Sequence, residues 1–184
     1  MRIFKLFVVA VIVLVYALPS FSQISSMQLF YLVKQAFPDA QEVNIFISSD
    51  NLRDEKDKIA RATVQFQLKA IVYEISSAAD IGNSTKKLAD NSVTILYDDK
   101  VFDNSKNKLY ILSKCKEKQI PLVTSSMDYI QSGALLGYVV DAGQKKIILN
   151  LTYYDHLKSK FSSEVVQQLG ITEVIPKDYL TSAQ

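Results

Sequence analysis

Apolar residues recur along the chain in two alternating spacings, and this alternation predicts the order of its elements. Between Ile24 and Ala36 the apolar positions lie three and four residues apart, which predicts an amphipathic helix. The compact apolar runs Val43–Ile47 and Val93–Tyr97 are typical of strands inside a sheet. Asn83 can cap a short helix that runs to Ala89. Two charged segments, 51–66 and 104–118, keep a helical apolar spacing, and in the second we expect Leu109, Leu112 and Cys115 to face inward. We interpret their charges as solvated helix faces.

The second half of the chain continues this alternation and then adds a hairpin. Ile120–Val123 predicts a strand, and a helical turn follows it at Met127–Gln131. Two further strands, Tyr138–Asp141 and Lys145–Leu151, are joined by a short loop that contains Gly143, which favours a β-hairpin. Strands that alternate with helices form parallel sheets between helical layers. We therefore predict an α/β fold: a mainly parallel sheet flanked by helices, with an antiparallel hairpin at one edge.

The N-terminal segment has the pattern of an export signal. Arg2 and Lys5 precede the apolar run Leu6–Leu18, and Ser20–Ser22 fits the small-x-small rule for cleavage. The run is shorter than the roughly 20 residues that span a bilayer, so a cleaved signal peptide is favoured over a membrane anchor. We predict a periplasmic protein with a signal peptide at 1–22, a single α/β domain at 23–176 and a flexible tail at 177–184.

Charge and cysteine content exclude two classes of protein. Removal of the leader takes away Arg2 and Lys5 and leaves 19 basic and 19 acidic residues, so nucleic-acid binding has no electrostatic support. Cys115 is the only cysteine, which rules out a disulfide within the chain. Its place on the apolar side of a predicted helix favours a buried, unreactive thiol.

The sequence offers no recognisable catalytic arrangement. His156 is the single histidine, so a histidine-rich zinc site is excluded. No Gly-x-Ser-x-Gly elbow, phosphate loop or glycine-rich dinucleotide motif occurs. We therefore expect a protein that is not an enzyme, with no cofactor and no metal.

Polar residues follow two of the predicted strands and suggest a ligand cleft. In open α/β sheets, ligands bind at the carboxyl ends of the strands. Our hypothesis is a small-molecule cleft at two such ends, lined by Tyr97, Asp98, Asp99, Thr124, Ser125 and Ser126. The alternative is that the two adjacent acids only cap and solvate a turn.

A second hypothesis concerns a short apolar run between two glycines. Glycine allows close backbone approach, and apolar residues in such a place suit a partner surface. The segment consists of Gly133, Ala134, Leu135, Leu136, Gly137 and Tyr138. The alternative is a core strand with no contact to a partner.

The order of features over Ile120–Leu169 resembles the YfiR-like family of small exported bacterial proteins. The shared pattern is a strand, a glycine pair, two strands of which the second ends in Asn, and a closing helix that begins with Ser-Ser. In this chain these places fall on Gly133, Asn150, Ser162, Ser163, Val165 and Val166.

The resemblance implies a periplasmic regulator. It would bind the periplasmic domain of a membrane-bound sensor or signalling enzyme, such as a diguanylate cyclase, and a homodimer is left open. A strand followed by Ser-Ser, a helix and Gly-Ala-Leu is also similar to one lobe of the solute-binding proteins that serve ABC transporters. This second resemblance implies a ligand-binding lobe instead.

Overall fold

The computed structural model describes residues 24–89 and 92–177. The predicted signal peptide at 1–22 and nearly all of the predicted tail therefore lie outside the described residues. In the first half, helices and strands alternate as predicted, in the order α1 (Ser26–Ala36), β1 (Glu42–Ser48), α2 (Ser49–Phe66), β2 (Lys69–Ile75), α3 (Ala78–Lys86) and β3 (Val93–Leu96).

The second half contains the hairpin and several short helices. Its elements are α4 (Lys100–Asp103), α5 (Ser105–Glu117), β4 (Leu122–Thr124), α6 (Met127–Ser132), β5 (Leu136–Asp141), β6 (Gln144–Asn150), a 3-10 helix (Asp155–Lys160), α7 (Ser163–Gln168) and β7 (Glu173–Ile175). Among the described residues no helix has the length and apolar character needed to cross a membrane.

The strands form one seven-stranded sheet in the order β2-β1-β3-β4-β5-β6-β7. The strands β1 to β5 are parallel, β6 runs antiparallel to β5, and β7 pairs parallel with β6. This confirms the predicted fold class, and the short strand β7 adds one more strand outside the hairpin. Because β1 lies between β2 and β3, the chain changes direction across the sheet there, and a crevice opens at the carboxyl ends of β1 and β3.

Both faces of the sheet are buried, which explains the uninterrupted apolar strands. Successive residues of β1 point to opposite faces: Ile45 packs under α1 and α2, and Phe46 packs towards α3, α4 and α5. On the second face Ile111 and Cys115 anchor α5. Burial raises the pKa of the Cys115 thiol to about 12, so the predicted unreactive thiol agrees with the structure.

Two helix details differ from the sequence prediction. The short helix α3 does not begin near Asn83 but at the N-cap Ser77, whose hydroxyl accepts a hydrogen bond from the Asp80 amide and donates one to the Asp80 carboxylate. In α5, Leu109 is 65% exposed, whereas Ile111 is buried. The register of α5 is set by Ile111 and Cys115, because these two side chains reach the sheet.

Candidate functional site

A cavity lies at the carboxyl-terminal edge of the sheet, beside the crevice between β1 and β3. Its volume is about 350 Å³, within the size range of small-molecule sites. It is bounded by the residues after β3 and β4, the start of α2, and two apolar side chains. These residues are Tyr97, Asp98, Ser125, Asn51, Asp54, Glu55, Lys58, Ile24 and Val140.

Asp99 holds the two sides of the crevice together. The Ser48 hydroxyl at the end of β1 donates a hydrogen bond to Asp99 Oδ2 over 2.6 Å, and Asn51 Nδ2 donates to the same oxygen over 2.9 Å. The other oxygen, Oδ1, accepts from the Val101 amide at 2.9 Å and caps α4. Both carboxylate oxygens are therefore occupied within the protein, and Asp99 has a structural role.

A buried chain of hydrogen bonds forms one wall of the cavity. The Tyr97 hydroxyl donates to Ser26 Oγ over 2.6 Å, and the Ser26 hydroxyl donates in turn to Glu55 Oε2. The other oxygen of Glu55 pairs with Lys58 Nζ at 2.6 Å. Glu55 is only 8% exposed, and burial raises the pKa of Tyr97 above its ordinary value. The chain therefore fixes a buried carboxylate at the cavity without freedom to rotate.

Asp98 lines the cavity, and hydrogen bonds hold both its amide and its carbonyl. Its amide donates to Ser125 Oγ over 3.2 Å, and its carbonyl accepts from Asn51 Nδ2 at 3.2 Å. Partial burial raises the pKa of the Asp98 carboxyl, a hydrogen bond from Ser126 opposes this shift, and nearby acids raise the pKa further. These acids are Asp103, Asp99 and Asp128.

The structure brings three of the six proposed cleft residues to the cavity, namely Tyr97, Asp98 and Ser125. Thr124 and Ser126 are buried beside it, and Thr124 Oγ1 accepts a hydrogen bond from the Ser126 amide at the start of α6.

Most of the cavity's charges come from a segment that sequence reasoning missed. Asp54, Glu55 and Lys58 belong to the charged helix α2, which the sequence suggested was a solvated surface. The position of α2 directly after β1 could have pointed to these residues. A helix that follows β1 begins at the carboxyl edge of the sheet, beside the end of β3.

The glycine-flanked segment lies in the core. Ala134, Leu135 and Leu136 have no exposed surface. A Cβ at Gly137 would lie 2.4 Å from Ile130 Cγ1, so this glycine is required by packing inside the chain. Gly133 ends α6 with a φ of 119° and lies under the Tyr153 ring. Tyr138 alone of the six is partly exposed, and the other five offer no surface to a partner in this conformation.

A larger depression of about 730 Å³ lies at the opposite, amino-terminal edge of the sheet. It includes His156, but its cations already have partners within the protein. Lys118 Nζ donates to the Leu88 carbonyl over 2.7 Å, and Lys160 Nζ lies 4.7 Å from the centre of the Phe37 ring. The carboxyl-terminal cavity is the better candidate, because ligands of open α/β sheets bind at that edge.

In the part of the chain that the structure describes, no three His, Cys, Asp or Glu side chains are grouped to hold a metal ion.

A family model described as ABC transporter substrate binding protein matches residues 22–149. This match covers well over half of the chain, including β1, β3, α2 and the cavity between them. The chain belongs to this family. Substrate-binding proteins of ABC transporters are generally not enzymes, and they are typically periplasmic or extracellular. No curated protein sequence matches the chain significantly.

Three solved structures share the fold at low sequence identity. A domain from Streptococcus pneumoniae, solved in complex with L-Trp, has a TM-score of 0.65 and 15% identity, and the alignment covers 81% of this chain and 61% of that one. A conserved domain protein from Vibrio cholerae has a TM-score of 0.61 and 16% identity, and the alignment covers 89% of this chain and 60% of that one. A ligand-free, open substrate binding protein with adhesive properties from Clostridium difficile has a TM-score of 0.60 and 12% identity. That alignment covers 84% of this chain and 58% of the other. This chain therefore spans about three fifths of each.

These findings correct the first resemblance. The assignment to the YfiR-like family is wrong, and with it the regulator of diguanylate cyclases and the membrane-bound sensor as partner. That assignment rested on the order of elements over Ile120–Leu169, an order that different α/β proteins can share. The family match instead rests on residues 22–149 and supports the alternative, a ligand-binding lobe related to solute-binding proteins.

Proposed function

We propose that this protein captures a small solute at the carboxyl-terminal edge of its sheet and delivers it to an ABC transporter. The observation that carries the proposal is the cavity of about 350 Å³ at the crevice between β1 and β3. Its polar groups are held in place before any ligand arrives, by the Tyr97–Ser26–Glu55 chain on one side and by Asp99 on the other. Such preorganisation lowers the entropic cost of binding.

We infer that the protein binds its solute without converting it chemically. In the structural neighbour from Streptococcus pneumoniae the bound molecule is L-Trp, an amino acid and thus a solute of the size that cavities of this class hold. Glu55 and Asp99 have internal partners that occupy their carboxylates, which fits a structural role better than proton transfer. A cleft of this kind can hold a molecule with no nucleophile positioned to attack it.

The predicted leader and boundaries belong to the same proposal. We propose that residues 1–22 direct export and are cleaved, that 23–176 form one domain, and that 177–184 form a flexible tail. Mass spectrometry of protein recovered from the periplasm tests the first point. An N-terminus at Gln23 supports cleavage, and retention of the full-length chain contradicts it.

A thermal-shift screen tests the function itself. Amino acids, amines, sugars and carboxylates are added to the purified protein, and a solute at a hundred times its dissociation constant should stabilise the fold by about 2.7 kcal/mol. For a domain of this size that corresponds to a rise in melting temperature of roughly 5–10 °C.

A pair of matched variants places the binding site. Val140→Phe puts a ring into the cavity and should reduce the shift, whereas Val64→Phe makes the same change at an exposed position of α2 and should leave it unaltered. The proposal fails if no solute shifts the melting temperature, or if the shift survives unchanged in Val140→Phe.

A further inference from the structure

The cavity at the carboxyl-terminal edge has an excess of negative charge. Three carboxylates line it, from Asp54, Glu55 and Asp98, and Lys58 is the one basic side chain among its described lining residues. Lys58 is already bound to Glu55 at 2.6 Å, so this pair is neutral. No ion pair to Asp54 or Asp98 is found within residues 24–89 and 92–177. Two negative charges are therefore left to be matched by a ligand.

The Asp98 carboxylate is held where its charge is unfavourable. Hydrogen bonds from Asn51 and to Ser125 fix its backbone at the end of β3. The acids Asp99, Asp103 and Asp128 raise its pKa further, and Asp128 is itself paired with Lys108 at 2.5 Å. A cation from outside the protein would relieve this repulsion, and in a partly desolvated cleft it would gain more than at an exposed site.

The helix ends at this edge are already capped by the protein itself. Ser25 and Gln28 form a capping box at the start of α1, and Ser48 Oγ accepts from the Asn51 amide at the start of α2. Backbone donors that would otherwise favour an anion are thus partly occupied. The electrostatic balance of the cavity therefore favours a positive ligand group.

Apolar side chains complete the wall and define the rest of the ligand. Ile24 and Val140 line the cavity together with the acids, and the buried Tyr97 ring adds to the apolar surface. Resting on the proposed function, we infer that the cleft selects a solute with a primary ammonium group on an aliphatic chain, for which Asp54 and Asp98 are the counter-ions. An alkyl amine and an amino acid with an aliphatic side chain share this chemistry.

Calorimetric titration with two five-carbon probes of opposite charge tests the inference. Cadaverine carries an ammonium group at each end, glutarate carries a carboxylate at each end, and L-lysine separates the amino-acid source from the simple amine. We expect heat of binding for cadaverine or L-lysine and none for glutarate. Because the contacts are ionic, added salt should weaken the binding.

Variants of the two acids give the matched test. Asp98→Asn and Asp54→Asn should each weaken binding by roughly tenfold to a hundredfold, as expected for the loss of a charged hydrogen-bond partner. Asp57→Asn removes an exposed acid one turn along α2, outside the cavity, and should change the affinity by less than about twofold. Melting temperatures of the unliganded variants within about 2 °C of the wild-type value would confirm that they fold.

The outcomes separate this inference from the proposed function. Binding of glutarate overturns the selectivity for an ammonium group. Binding of L-Trp, tested as a primary amine with an aromatic side chain, with neither cadaverine nor L-lysine overturns the selectivity for an aliphatic chain. Either result leaves a solute-binding protein. Equal losses in Asp98→Asn and Asp57→Asn also overturn it. If all four probes fail while the wider thermal-shift screen gives a hit, only the inference fails, and if the screen is also empty both fail.

Discussion

The two edges of the sheet carry cavities that differ in how their charges are partnered. At the amino-terminal edge the depression is about twice as large, yet Lys118 and Lys160 are engaged with backbone carbonyls and an aromatic ring. At the carboxyl-terminal edge the cavity is smaller, but Asp54 and Asp98 have no cationic partner among the described residues. Asp39 is the one acid without an ion pair among the described lining residues of the amino-terminal depression, against two in the carboxyl-terminal cavity. The larger unmatched charge, rather than volume, distinguishes the edge that is suited to a ligand.

The direction of the chain explains this difference. In a parallel α/β sheet, helix N-termini meet at the carboxyl edge, and the Ser48 and Asp99 side chains cap them there. Helix C-termini meet at the amino edge, where lysines such as Lys118 bind the free carbonyls. At the amino edge the charges therefore stabilise the fold, whereas the carboxyl edge retains acids that do not take part in capping.

The largest expected effect is a loss of stability when one buried serine is replaced at each edge of the sheet. Ser26→Ala at the carboxyl edge removes the link between Tyr97 and Glu55, and Ser92→Ala at the amino edge removes the acceptor of Asn44 Nδ2. Each change leaves buried polar groups without a partner, so each should lower the free energy of unfolding by about 1–3 kcal/mol in urea denaturation.

Ligand binding separates the same two serines. Ser26→Ala should also weaken binding of cadaverine, because Glu55 is no longer fixed at the cavity wall, whereas Ser92→Ala should leave the affinity unchanged. Equal losses of affinity in both variants would break the distinction between the edges.

The next effect tests the capping role of the amino-edge lysine. Lys118→Met removes the donor to the Leu88 and Lys86 carbonyls and should lower the free energy of unfolding by about 0.5–1.5 kcal/mol, with no change in ligand affinity. Lys106→Met makes the same change at an exposed lysine near the start of α5, the helix that Lys118 ends, and serves as control. A loss of affinity in Lys118→Met would place the ligand at the wrong edge for this account.

A smaller effect of opposite sign is expected at the carboxyl edge. Asp98→Asn removes a carboxylate that burial and its acidic neighbours disfavour, so the unliganded protein should become slightly more stable. Because the side chain is partly exposed to water, the rise in melting temperature should stay below about 2 °C. A lower melting temperature in Asp98→Asn would show that the carboxylate stabilises the fold instead.

The smallest effect is the pH dependence of that stabilisation. The folded-state pKa of Asp98 is raised above the ordinary 3.8, so the folded protein holds this proton more tightly than the unfolded chain. The destabilisation of the folded protein by the charged Asp98 carboxylate is therefore fully present at neutral pH. It disappears as the pH falls through the raised pKa towards 3.8. The difference in melting temperature between Asp98→Asn and the wild type should shrink over that pH range. A constant difference would contradict the raised pKa of Asp98.

Much of the fold could be predicted, because burial on both faces leaves a direct trace in the sequence. The apolar runs Val43–Ile47 and Val93–Tyr97 became β1 and β3, and the loop with Gly143 became the hairpin turn. The predicted start of α3 near Asn83 was wrong, because the helix begins at Ser77. Both residues are good N-caps, and only the packing of the helix decides between them.

The candidate site could be predicted only in part. The strand-end rule led to Tyr97, Asp98 and Ser125, because a strand's carboxyl end can be read from the sequence. Asp54 and Glu55 could not be recognised, because their places in the cavity depend on β1 lying next to β3, and helical spacing does not show which charged residues of α2 meet that crevice.

The most direct test of the central claim is an amide NMR titration of the purified protein with cadaverine. The account predicts that the largest shifts occur at the backbone amides of Asn51, Asp98 and Ser125 at the carboxyl edge, and that those of Lys118 and His156 at the amino edge remain in place. Shifts that instead cluster around Lys118 and His156 would contradict the claim that the carboxyl-terminal cavity is the binding site.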